Sequence, residues 1–217
     1  CIRDRSNVKL YFMLGLPTET DEDVLGIAEL VGKIIKLWHE HAGVKKRGLR
    51  IHVATAFFVP KPHTPFQWEQ QITMEEYLRR CKLLKSHFYS KSIDYNYHTP
   101  EISRLESVMA RGDRRIAPVI AEAARNGARL DGWDEYFKHE AWINAFEKCG
   151  VDPEFYTTRG FGEEELLPWD HINVGLTKKF LLRERHTAYE SRVTPDCRHG
   201  CAGCGAQCLL KEVKCDA

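Results

Sequence analysis

Two short runs rich in aromatic and branched side chains, residues 8–14 and 51–59, flank one stretch of helical periodicity, and this spacing constrains the fold more than any other feature. The first run, VKLYFML, stops at Gly15 and Pro17, residues that break a strand. Thr20 then stands as a helix cap, with Asp21, Glu22 and Asp23 at the positive end of the helix dipole. Val24, Ile27, Ala28, Val31, Ile34, Ile35 and Trp38 follow at helical spacing and predict a helix ending near His41. The second run is almost continuously apolar, the pattern of a parallel strand covered on both faces. Pro60, Pro62 and Pro65 end it in a rigid loop. The segment TMEE at 73–76 is a capping box that opens a helix to about Tyr89, and residues 92–97 suit a third strand. Strand, helix, strand, helix, strand is the rhythm of an α/β sheet or barrel.

That rhythm then gives way to helices. Pro100 suits the first position of one. Others are expected over 114–126 (stopped by Gly127), 133–148 and 175–190, with Trp133, Trp142 and Trp169 as packing residues. The tail from Arg192 is poor in apolar residues and rich in Cys and Gly, so something other than a core must organise it. The expected organisation is an α/β part over 1–98, a helical extension over 99–190 and a cysteine-rich tail over 191–217.

The formal charge of +1 argues against a general polyanion binder, and no apolar run is long enough to cross a bilayer. No secretory signal leads the chain. It begins at Cys1 rather than Met and enters a strand within a few residues, which reads as a fragment whose N-terminal part lies elsewhere.

The eight cysteines are unevenly spread. Cys1, Cys81 and Cys149 stand alone, whereas Cys197, Cys201, Cys204, Cys208 and Cys215 crowd the tail. Cys197, Cys201, Cys204 and Cys208 can converge on one centre, and the glycines between them allow the tight turns required. Four thiolates suit zinc or an iron–sulfur cluster, in a reducing compartment such as the cytoplasm. Cys215 ranks below these four, and His199 reads as exposed.

Two loops follow the strands. The GLPTET turn at 15–20 can present helix-start amides to a carboxylate or phosphate, or it is an ordinary turn and cap. The loop after the second strand offers His63, Thr64 and Gln67, or is a stiff loop packed by Phe66 and Trp68. Arg111, Arg114 and Arg115, with Arg104, Arg125 and Arg129, form the densest basic region. They suit phosphates of a nucleotide or RNA, or they lie on solvated faces paired with Glu106, Asp113 and Glu122.

The spacing of Cys197, Cys201 and Cys204, C-x-x-x-C-x-x-C, is also the signature of radical S-adenosylmethionine (SAM) enzymes. YFMLGLPTETDED at 11–23 resembles a barrel segment of that superfamily, and FFVPKPHTPFQW at 57–68 resembles its next strand and loop. RLESVMARGDRR at 104–115, DGWD at 131–134, LPWD at 167–170 and Asp196-Cys197 resemble the C-terminal half of members that carry a cobalamin-binding domain ahead of the barrel. The resemblance implies the last strands of a partial (β/α) TIM-type barrel, with the catalytic cysteines upstream of Cys1. It implies a [4Fe–4S] cluster and reductive cleavage of SAM to a 5′-deoxyadenosyl radical, or cobalamin-assisted methyl transfer, on an unidentified substrate. Gly15 and Thr18 would border SAM, and the loop from Pro60 to Thr64 would lie near its adenine. Thr18 stands where some members place a glutamate. The four tail cysteines would then form an auxiliary iron–sulfur or zinc site. The competing expectation is a zinc-stapled module that binds RNA or a protein without catalysis.

Overall fold

The computed structural model describes residues 6–41 and 48–206. The chain divides into two compact units: Cys1–Val59, Ile72–Leu105 and Ala128–His139 form one, and Pro60–Gln71, Glu106–Gly127 and Glu140–Ala217 form the other.

The first unit is built on a parallel sheet of three strands, β1 (Asn7–Leu14), β2 (Arg50–Phe57) and β3 (Ile93–Tyr97), in the order β1-β2-β3. Helices α1 (Asp21–His41) and α2 (Met74–Ser86) make the two crossovers that parallel pairing demands. The chain is therefore α/β, and each of these elements lies where the sequence periodicity put it. Thr20 Oγ1 accepts from the Asp23 amide and Thr73 Oγ1 from the Glu76 amide, each at 3.2 Å, so both expected caps form.

Period-two alternation divides the sheet into two faces. Val8, Leu10, Phe12 and Leu14, with Ile51, Val53 and Phe57, pack against Val24, Val31, Ile35 and Trp38 of α1 and Tyr77, Cys81 and Leu84 of α2. Burying each such side chain contributes about 1.5–3 kcal/mol. The opposite face bears Lys9, Tyr11 and Met13 of β1, His52, Ala54 and Ala56 of β2, and Asp94 and Asn96 of β3. It stays accessible, with Tyr11 at 75% and Met13 at 50% exposure. This corrects the expectation for β2. Its run is covered on one face, and it reads as continuously apolar because small alanines alternate with the buried residues.

The second unit contains α4 (Ile116–Arg125), α6 (Glu154–Thr157), α7 (Lys178–Tyr189) and all but the first residue of α5 (His139–Cys149). Helix α3 (Pro100–Arg111) begins in the first unit, with Pro100 at its first position as expected, and ends in the second. The second unit's core gathers Trp68, Phe161, Leu167, Trp169 and Leu181. Gly127 closes the end of α4 at φ +87°.

Two expectations need correction. Residues 133–138 are turns, not helix: Leu130 takes φ +59°, and the Trp133 and Tyr136 amides bond back to Leu130 O and Trp133 O at 3.0 and 2.9 Å. Trp133 is 63% exposed and does no core packing, whereas Trp142 and Trp169 are buried. Among the described residues, no helix is long and apolar enough to cross a membrane.

Candidate functional site

The turn after β1 is built around Gly15. It is buried at φ +93°, and a Cβ there would lie 3.0 Å from the Ile72 side chain, so glycine is required. Its amide donates to Glu19 Oε2 at 2.8 Å. The same carboxylate oxygen takes the Arg80 guanidinium of α2, and Arg80 Nε donates to Glu76 Oε1 at 2.8 Å. Arg79 grips Asp21 through two bonds of 3.0 and 2.6 Å and also donates to Glu76. The Arg79 hydrogen bond, with Arg80 beside it, holds the Glu76 carboxyl down at about 2. Thr18 is exposed at φ +64°, a conformation that is costly for a β-branched residue.

Asp23 Oδ2 accepts from the Thr20 amide at 2.8 Å. Two amides of this turn are thus bonded to the chain's own carboxylates, Glu19 and Asp23, and Asp21 and Glu22 add negative charge. An incoming anion meets donors already in use, so the turn offers a shaped edge and the Thr18 hydroxyl rather than an empty anion cradle.

The loop after β2 belongs to the second unit. Pro60 is buried, and the Thr64 hydroxyl donates to Lys61 O at 2.8 Å. His63 takes φ +57°. Buried Gln67 accepts the His63 amide at 2.9 Å and the Trp169 indole at 2.7 Å through one oxygen. Trp68 is 1% exposed, and its indole N–H has no partner among the described residues. Gln67 and Trp68 therefore pack and pin the loop, and Thr64 turns its hydroxyl inward.

The accessible sheet face holds a pair that the sequence reading missed. His52 Nδ1 and Asp94 Oδ2 lie 2.9 Å apart on register partners of β2 and β3. The carboxylate orients the ring, and an imidazole so held can take or give a proton at its other nitrogen. The only available signal was alternation within each strand, and it gives no register. On the helix-covered side, Thr55 Oγ1 meets Tyr95 OH at 2.9 Å and Tyr77 OH donates to Thr55 O at 3.2 Å. Burial pushes the neighbouring Cys81 thiol up, which suits an unreactive core thiol.

In the tail, Cys201 Sγ accepts the Gly203 amide at 3.3 Å and Cys204 Sγ accepts the Ala206 amide at 3.4 Å. Gly203 and Gly205, at φ +64° and +96°, permit these turns. Cys197 is exposed, and Cys208 lies outside the described residues, as do Cys1 and Cys215. Among the described residues, no three potential metal ligands are gathered. The tail is anchored: the Thr177 amide donates to Cys204 O at 3.0 Å, and Arg183 donates to Ala202 O. His199 is exposed, and its Nδ1 lies 3.1 Å from Asp196 Oδ1.

The basic region divides. Arg115 pairs with Asp113 and Arg125 with Glu122 on accessible surfaces, as one of the two readings had it, while Glu106 takes Lys61. Arg111 is neither solvated nor paired with a carboxylate. It is fully buried, donates to Thr157 O and Arg159 O at 3.0 and 3.1 Å, and stacks 4.4 Å from the Phe161 ring. Burial, with Arg159 nearby, lowers its pKa to about 10, and it remains a cation.

These features define an α/β protein whose parallel sheet has one helix-covered face and one accessible face. The chain is 26% identical over 144 residues to the Uncharacterized protein MJ0966 of Methanocaldococcus jannaschii. The match takes in 66% of this chain but only 30% of that relative's length. No family model matches the chain, and no solved structure matches it.

Proposed function

We propose that this chain is the C-terminal part of a radical SAM enzyme: the last strands of a partial (β/α) barrel, a helical extension and a tail with an auxiliary metal site. The observation that carries the reading is the one-sided parallel sheet. Parallel sheets are ordinarily covered on both faces. A barrel instead places its helices outside, turns the other face inward and binds ligands at the carboxyl ends of its strands. Here α1 and α2 cover one face, β1 pairs on one side only, and the glycine turn stands at its carboxyl end. A preceding strand from the missing barrel half would occupy the free edge of β1.

Cys81 is the single cysteine among the described residues of the sheet unit, and it is buried on the helix-covered side. The residues present therefore do not fit a catalytic cluster, whose cysteines would come from upstream. When bound, that cluster and SAM supply the reductive cleavage that generates a hydrogen-abstracting radical, and a cobalamin domain would adapt it to methyl transfer. This chain's own share is positional. Ala54 and Ala56 leave room above the sheet, Tyr11 and Met13 flank it, and the His52–Asp94 pair holds a proton. By the resemblance, Gly15, Thr18, Pro60 and Thr64 are the candidate SAM neighbours. A reducing cytoplasmic setting accompanies the reading.

The test is the longer protein. Its coding sequence should contain a C-x-x-x-C-x-x-C upstream of Cys1. Reconstituted without oxygen, it should release 5′-deoxyadenosine from SAM. An upstream sequence without the motif, or an intact cluster that cleaves no SAM, overturns the reading. The zinc-stapled binding module remains the second reading, favoured by the anchored cysteine turns of the tail. Salt-sensitive RNA binding lost on Arg114→Ala and Arg115→Ala would support it.

A further inference from the structure

The tail contains a turn whose hydrogen bonds are aimed at sulfur. Cys201 and Cys204 are separated by two residues. Each accepts an amide N–H from the residue two places on, Gly203 at 3.3 Å and Ala206 at 3.4 Å. A neutral thiol is a poor acceptor, whereas a thiolate bound to a metal carries charge that such donors stabilise. The turn is held in place besides. Cys204 O accepts the amide of Thr177, the cap of α7, and Arg183 reaches back to Ala202 O. Gly205, at φ +96°, lies so close that a Cβ would stand 2.9 Å from Gly175 O.

We propose that Cys201 and Cys204 form the preorganised half of a mononuclear zinc site, completed by Cys197 and Cys208, which fastens the tail to the start of α7. This deepens the auxiliary-site part of the proposed function by choosing zinc over an iron–sulfur cluster. Three observations favour the single ion. A two-residue spacing brings two sulfurs onto one tetrahedral ion. The exposed Cys197 and the Gly, Ala, Arg and His neighbours give no apolar shell, which a redox cluster needs for protection and a redox-inert ion does not. The anchoring to Thr177 and Arg183 is structural, and structural zinc supplies folding energy directly. Binding converts four thiols to thiolates and releases their protons, with no change in oxidation state.

The experiment compares the protein, purified without oxygen, with Cys201→Ser and Cys204→Ser variants by metal and acid-labile sulfide analysis. The expected difference is one zinc per chain, lost in both variants. Cobalt exchanged into the protein should show the absorption of a tetrahedral thiolate site. Ala206→Pro removes the amide donor to Cys204 but no ligand, and should weaken zinc affinity by about 10-fold or more while saturation is still reached. Iron and sulfide lost with the tail cysteines, no metal difference, or a disulfide through Cys201 or Cys204 would each overturn the proposal. Iron that both variants retain belongs to an upstream cluster, so the radical SAM reading and the zinc assignment fail separately.

Discussion

The Glu19 carboxylate accepts the Gly15 amide at 2.8 Å, closing the turn after β1 with a side chain that Arg80 of α2 also grips. The Arg80 and Glu19 side chains are only 12% and 7% exposed, so the pair behaves as a buried one. Removing one partner leaves a charge without compensation. Arg80→Met is expected to cost about 3 kcal/mol, and the double variant with Glu19→Gln less than the sum of the two single changes. Urea midpoints of the four proteins of this cycle measure the coupling, and strict additivity would contradict the clamp.

Gly15 and Thr18 share left-handed backbone with opposite consequences. Gly15→Ala adds a Cβ at φ +93° against Ile72 and should cost about 1–2 kcal/mol or more. Thr18→Gly relieves a β-branched residue at φ +64° and should stabilise the protein by a few tenths of a kcal/mol to about 1. If the full-length enzyme then loses SAM affinity while its melting temperature rises, the Thr18 strain serves binding.

Arg111 carries the second unit's loop at Thr157 and Arg159. Arg111→Ala strands two carbonyls and opens a cavity beside Phe161, with an expected loss of about 3–5 kcal/mol. Arg111→Lys should recover little of this, because an ammonium cannot reproduce the planar fork and stack. Thermal melts of both variants check it.

Acid should loosen both units over one window. Glu76 and Asp113 are each held at about 2, below ordinary values of 4.5 and 3.8, chiefly by hydrogen bonds from Arg79 and Arg115 respectively. A folded pKa below the unfolded one contributes stability above the unfolded value and loses it as pH falls toward the folded value. Melting temperature should therefore decline from about pH 4.5 to about pH 2, and Glu76→Gln or Asp113→Asn should each flatten the decline.

Much of the sheet unit was legible because its signals are local. The caps at Thr20 and Thr73 and the break at Gly15 depend on residues within a few positions. The candidate site was less so. Gly15 and the tail cysteines stand out by spacing. The Glu19–Arg80 clamp spans 61 residues and the His52–Asp94 pair 42, distances over which a pattern carries no register.

The amino-acid sequence by itself determined the β-α-β-α-β order, the helical second half and the cysteine clustering, since periodicity, capping and turn chemistry act through near neighbours. Only the tertiary structure decided that β2 is covered on one face, that Trp133 is exposed and Arg111 buried, and that two tail sulfurs accept amide hydrogens. The physical reason is that burial and hydrogen-bond partnership belong to the surroundings of a side chain. Those surroundings are assembled from segments far apart in the chain.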